Sequence, residues 1–156
     1  MASQNELRLA KEVYETLCSA LDNRNWRYSR NDEKLIIDVS VSGDDLPMDF
    51  MIKCDADYQI IRLQSFLPFK MSEEKRVEGS IVTNYINYRL VDGSFDYNIG
   101  DGTILFRLTS SFRDSLVQEE VFDYMIDVSC GTIDAYNDKL LMLSKGLMSI
   151  SDVIQE

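Results

Sequence analysis

The chain has 156 residues and a mass of 18.0 kDa, with 45% hydrophobic and 28% charged residues, which suits one folded domain with a sizeable core and excludes a disordered chain. Sixteen Lys and Arg against 27 Asp and Glu leave a formal charge of -11 and a pI near 4.4, so the average surface repels phosphate backbones and anionic headgroups, and neither nucleic acid nor membrane is an expected partner. There is no His, which removes the usual general base near neutral pH, the usual transition-metal ligand and every His-based Ser or Cys triad.

Near the N-terminus, Leu7, Leu9, Ala10, Val13, Tyr14, Leu17, Cys18 and Leu21 recur at spacings of three and four, predicting a helix over about residues 6–21 with one buried stripe. The polar run 22–25 ends it. Trp26, expected as a core anchor, opens a first extended segment with Tyr28. Leu35, Ile37, Val39 and Val41 then alternate with Asp38 and Ser40, and Met48, Phe50, Ile52 and Cys54 alternate after a turn at 43–47. With the run 58–66 these strands predict an antiparallel meander, which Pro68 is expected to stop. Ile36, Met51 and either Ile60 or Ile61 fall on the nominally outer face, either as scattered apolar positions or as part of a surface that a second chain covers.

A second helix is expected over about 72–90, with Val77, Ile81, Val82, Tyr85 and Ile86 along its buried stripe and Gly79 allowing a close approach. Gly93 suits a left-handed helix end. Phe95, Tyr97 and Ile99 alternate, Asp101 and Gly102 reverse the chain, and Ile104, Phe106 and Leu108 share one face of the next strand. The longest helical pattern starts near Ser115, is interrupted or bent at Gly131 and Thr132, and ends at Gly146. The tail 147–156 keeps Leu147, Met148, Ile150, Val153 and Ile154 apolar, so it is expected to dock on the domain or on a partner.

The elements sum to a single α+β domain over 1–156, order α-β-β-β-β-α-β-β-α, with an antiparallel sheet of five to six strands and helices packed on one face. No nucleophile elbow, dinucleotide fingerprint or phosphate loop occurs. Asp92, Ser94, Asp96 and Asn98 alternate as calcium-loop ligands do, but Tyr97 stands where that loop needs glycine and Thr103 where it needs glutamate. The three cysteines, Cys18, Cys54 and Cys130, are far apart and flanked by apolar residues, as reduced thiols are. The polar N-terminus, with no long apolar run in the chain, makes a cytoplasmic location the expectation.

Particular residues add a resemblance. They are the passage 21–28 from helix end to aromatic pair, the step from Leu67 to Pro68, Asn84 and Asn87 followed by Gly93 and Phe95, Asp101 and Gly102 with Phe106 and Arg107, and Tyr136 with Leu140 and Gly146. In that order the chain resembles the YbjN family, small bacterial proteins described as candidate sensory-transduction regulators with a fold like that of type III secretion chaperones. It departs from the pattern where Asn137, Asp138 and Lys139 stand in place of a proline, and where Asn25 replaces a glycine.

The resemblance implies no catalytic residue, cofactor or metal. The expected function is a non-catalytic protein-binding module, a regulator or chaperone of another protein, working as a homodimer. The candidate partner surface is Ile36, Met51, Arg107, Leu147, Ile150 and Ile154, and Asn84, Asn87, Gly93, Asp101 and Gly102 are expected to be structural. The alternative is a small-ligand sensor with a pocket between sheet and helices lined by Tyr85, Phe95, Tyr97 and Phe106.

Overall fold

The structure, a computed structural model, describes residues 1–155. Its strands are β1 (Ser29–Asn31), β2 (Ile36–Val41), β3 (Met48–Asp55), β4 (Ile60–Lys70), β5 (Ser94–Tyr97) and β6 (Thr103–Ser111). They form one sheet in the order β1-β2-β3-β4-β6-β5, every neighbouring pair antiparallel. Helices α1 (Gln4–Asn23) and α3 (Glu119–Ser144) pack on each other and over the sheet, while α2 (Arg76–Arg89) sits on β5 and on the short α4 (Ile150–Ile154). The α+β class, the element order and the meander are as the sequence predicts, with α4 added at the end.

Local signals explain the ends of the elements. Ser3 caps α1: the Glu6 amide donates to Ser3 Oγ at 3.2 Å, and the Ser3 amide donates to the Glu6 carboxylate at 2.6 Å. Gly146, at φ +71, ends α3. Its amide donates to the Leu143 carbonyl and that of Leu147 to Met142, the paired bonds that close a helix with a left-handed residue.

The inward row Ile37, Ile52, Leu63 and Leu108 runs in register across β2, β3, β4 and β6, and all four residues are fully buried. Phe95 and Phe106 meet edge to face at 5.2 Å between centroids, with Tyr136 of α3 against Phe95 at 6.1 Å. Burying side chains of this size stabilises the fold by about 1.5–3 kcal/mol each.

Five sequence expectations need correction. Pro68 does not stop β4, because the strand runs on to Lys70 through an irregularity between Phe66, opposite Leu105, and Lys70, opposite Thr103. A proline is tolerated there because the ladder is broken and asks no amide of it. The buried side of α2 is Gly79, Val82, Thr83 and Ile86, so Val77 and Ile81 face solvent. Gly131 does not interrupt α3, which is continuous and starts at Glu119. Gly93 is left-handed, at φ +75, but follows the end of α2 by four residues and leads into β5. Trp26 is only half-buried, with the Arg24 guanidinium 5.4 Å above its ring.

Two glycine substitutions separate these roles. A Cβ at Gly93 would lie 2.5 Å from the Phe106 ring, at a φ that side chains rarely adopt, so Gly93→Ala should cost about 2 kcal/mol or more. Gly131 is exposed in mid-helix with open space around it, so Gly131→Ala should stabilise by about 0.5–1 kcal/mol. Urea midpoints should therefore move in opposite directions, and a shared direction would contradict these placements.

Candidate functional site

The outward residues of the strands form rows across the sheet. Ser29, Asp38, Met51, Gln64, Arg107 and Ser94 stand in register from one edge to the other. The next row is Asn31, Ile36, Lys53, Arg62 and Thr109. Ile36, Met51 and Ile60 are thus half-buried on the outer face, as the alternation predicts, and Ile61 is the partner that enters the core. Arg107 is also on this face, in an ion pair with Asp96 at 2.8 Å.

Lys53 faces Arg62 directly, a repulsive pairing that Asp55 moderates. Asp55 is 5% exposed and accepts from Lys53 Nζ at 2.8 Å and from the Tyr58 amide at 3.2 Å. Burial pushes its carboxyl up, but these two donors outweigh burial and hold it below the usual value.

The face opens where β3 and β4 part. Their register ends at Met51 opposite Gln64, whereas β3 stays paired with β2 back to Met48 and β4 stays paired with β6 through Phe66. The divergence makes a groove of about 660 Å³, lined by the apolar Met51, Phe66, Leu67, Pro47 and Pro68 and by the polar Ser40, Asp38 and Asp49. Phe66 is 59% exposed. Among the described residues neither Asp38 nor Asp49 has a cation partner; Asp49 accepts only from the Ser40 hydroxyl, at 2.5 Å. Pro68, Asp49 and the parting of the two strands were invisible as a site in the sequence, since no local signal marks where a ladder ends.

The other candidate residues fall elsewhere. Ile150 and Ile154 are half-buried and Val153 is buried, so the tail docks on its own domain, where the Tyr85 hydroxyl donates to the Ile154 carbonyl at 2.9 Å. Leu147 remains 70% exposed. Asn87 is structural: its amide nitrogen donates to the Phe95 carbonyl at 2.9 Å and its oxygen accepts from the Phe95 amide at 2.7 Å, binding α2 to β5. Asn84 is exposed on α2. Asp101 accepts from the Thr103 amide at 2.9 Å, and Gly102, at φ +79, lies against the Met71 backbone and accepts from its amide at 2.8 Å.

Phe95 and Phe106 are core residues, Tyr97 donates to the Arg76 carbonyl at 2.8 Å, and Tyr85 lines a separate 120 Å³ pocket with Arg89 and Val153. The four aromatics of the sensor alternative are therefore divided: Phe95 and Phe106 lie in the core, and Tyr85 and Tyr97 line two different pockets. One residue the sequence did not single out is Gln59, buried at φ +53. Its amide nitrogen donates to Glu6 at 2.9 Å and its side-chain oxygen accepts from the Asp114 amide at 2.8 Å, tying α1 to the segment after β6.

Burial pushes Cys54 up to about 12 and Cys130 up to about 11, so neither is a reactive thiolate at neutral pH. Among the described residues no group of three or more Cys, Asp or Glu is placed to hold a metal ion, and no helix is long and apolar enough to cross a membrane.

An open antiparallel sheet of six strands with helices over one face thus presents a grooved outer face. This is the fold of YbjN, a candidate transcription regulator from E. coli. Its crystal structure matches with a TM-score of 0.59 over 85% of this chain and 92% of that one, at 13% sequence identity. No family model and no curated protein matches the sequence.

The pH dependence of stability follows from these groups. Asp32 is held low by Arg30, Asp101 by the Thr103 amide, and Asp152 by the Ser149 amide. Depressed carboxylates contribute stability that is present above their unfolded value near 3.8 and lost as pH falls through the folded ones. Raised thiols, and Tyr14 pushed up to about 12 by burial and its bond to Asp32, contribute stability that is present below their unfolded values of 9.0 and 10.0 and lost above them. With no His to titrate between, the urea midpoint should be level from about pH 5.5 to about pH 8 and fall on both sides. A step between pH 6 and 7 would contradict this.

Proposed function

We propose that this chain is a non-catalytic protein-binding module of the cytoplasm, a regulator or chaperone type of protein, whose outer sheet face holds an extended segment of another protein. The observation that carries this reading is the groove at the β3–β4 divergence: its lining combines apolar side chains with the uncompensated Asp38 and Asp49, and it is bounded by strand edges that have left their ladder. Diverging edges offer main-chain hydrogen bonds to an extended segment, and alternate side chains of that segment reach the two walls. The segment that fits carries apolar residues alternating with Lys or Arg.

A nine-residue fluorescein-labelled peptide of alternating Leu and Lys, followed by anisotropy, tests this. Each exposed ion pair is worth about 0.5–1 kcal/mol, so Asp38→Asn with Asp49→Asn should weaken binding about tenfold. The Glu33→Gln, Glu120→Gln variant removes the same charge elsewhere and should leave binding within about twofold. Equal weakening by both variants would mean attraction to the net charge alone, and would remove the groove from consideration.

A further inference from the structure

Beyond the groove the outer face changes sign along the strands. The outward residues of β3 run Asp49, Met51, Lys53, and those of the antiparallel β4 run Phe66, Gln64, Arg62 in the same direction along the sheet. Met51 stands opposite Gln64 and Lys53 opposite Arg62. The groove end therefore carries an acid and an exposed aromatic ring, the middle is neutral, and the far end carries two cations. Asp38, opposite Met51 on β2, adds a second acid to the groove. Four residues of strand separate Asp49 from Lys53, about 13 Å.

The far end lacks negative charge as the groove lacks positive charge. Asp55 accepts from Lys53 at 2.8 Å and from the Tyr58 amide at 3.2 Å. Half-buried Arg62 makes no ion pair or hydrogen bond among the described residues, although Asp55 lies near enough to feel its charge. Like charges directly opposite each other weaken a ladder, so an anion over Lys53 and Arg62 relieves a repulsion as well as making a bond.

There is room for one. Past Arg62 lies a hollow of about 340 Å³ that brings in Arg107 and Thr109 as further donors. Arg107 is held by Asp96 at 2.8 Å. Asp92 also lines the hollow, with its oxygens on the Gly93 amide at 2.9 Å and the Tyr124 hydroxyl at 3.3 Å.

An extended chain places residues i, i+2 and i+4 on one face and covers the same 13 Å or so in those four steps. A segment that leaves the groove along β3 and β4 thus meets an acid, a neutral pair and a cationic pair with three successive residues of its lower face. We infer that the bound segment is itself divided by charge, with Lys or Arg over Asp49 and Asp or Glu four residues away over Lys53 and Arg62. This rests on the groove as the seat of the segment and adds the order of charges that the face selects. A wholly basic segment sets a like charge against Arg62, and the face discriminates against it there.

The test compares, by anisotropy, the alternating Leu and Lys peptide with a divided version in which the Lys residues of one half are replaced by Glu. The divided peptide should bind at least as tightly, although it has given up its net attraction to a chain of charge -11. Arg62→Gln should weaken the divided peptide about threefold and should not weaken the Leu and Lys peptide. Arg62→Lys, which keeps the charge, should bind the divided peptide within about twofold of wild type, as should Lys145→Gln, which removes a cation at the end of α3. Because Arg62→Gln removes a like-charge pairing, its urea midpoint should not fall. Equal effects of Arg62→Gln and Lys145→Gln on the divided peptide would overturn the inference, and so would binding of the Leu and Lys peptide alone; the groove would stand in both cases. Binding of neither peptide would remove the groove reading and this inference with it.

Discussion

One layer of helices covers one face of this sheet, so each strand residue is committed to a dry or a wet side by the two-residue period of the pleat. A slip of one residue would exchange the row Ile37, Ile52, Leu63 and Leu108 for Asp38, Met51, Gln64 and Arg107, burying two charges and a carboxamide under α1 and α3. Register is therefore strongly specified across β2, β3, β4 and β6. The irregularity in β4 respects the same constraint: β4 uses four residue steps where β6 uses two, an even surplus, so Leu67 still points inward and Phe66 outward. β4 bends with β6 and leaves β3 to follow β2.

The attachment of α2 is of a different kind. Its inner side offers small or short residues, Gly79, Val82 and Thr83, with Ile86 the largest, and it is held to β5 by hydrogen bonds as much as by packing. The Asn87 amide takes both backbone groups of Phe95, the Tyr97 hydroxyl takes the Arg76 carbonyl, and the absence of a side chain at Gly79 lets that hydroxyl approach. A helix docked through so narrow a strip has room for a second apolar line on its far side.

Cations in this acidic chain are spent locally. Arg24 holds Asp123 at 2.7 Å and Asp127 at 2.8 Å, closing the C-terminus of α1 onto α3, and Arg30 holds Glu15 and Asp32 at 2.8 Å across α1 and β1. Single exposed pairs of this type contribute little, but each guanidinium here joins two carboxylates and an aromatic ring, Trp26 or Tyr14. Asp38 and Asp49 are left over at the groove. The outer face thus carries Asp38 and Asp49 beside the cations Lys53, Arg62 and Arg107.

The amino-acid sequence by itself determined the class of the fold, the order of the elements, the inward faces of β2 and β3 and the absence of histidine chemistry. These are properties of periodicity and composition, and the chain carries them residue by residue. The structural role of Asn87 was legible too, and its partner lies only eight residues away. Only the tertiary structure decided which side of α2 is covered, where β3 leaves β4, and that Gln59 ties α1 to the segment past β6. Periodicity along one segment shows that it has apolar side chains at helical spacing, but which of them are buried depends on the partner surface. Val77 and Ile81 read as core by the same spacing that makes Val82 and Ile86 core, and the narrow contact with β5 leaves the first pair in water.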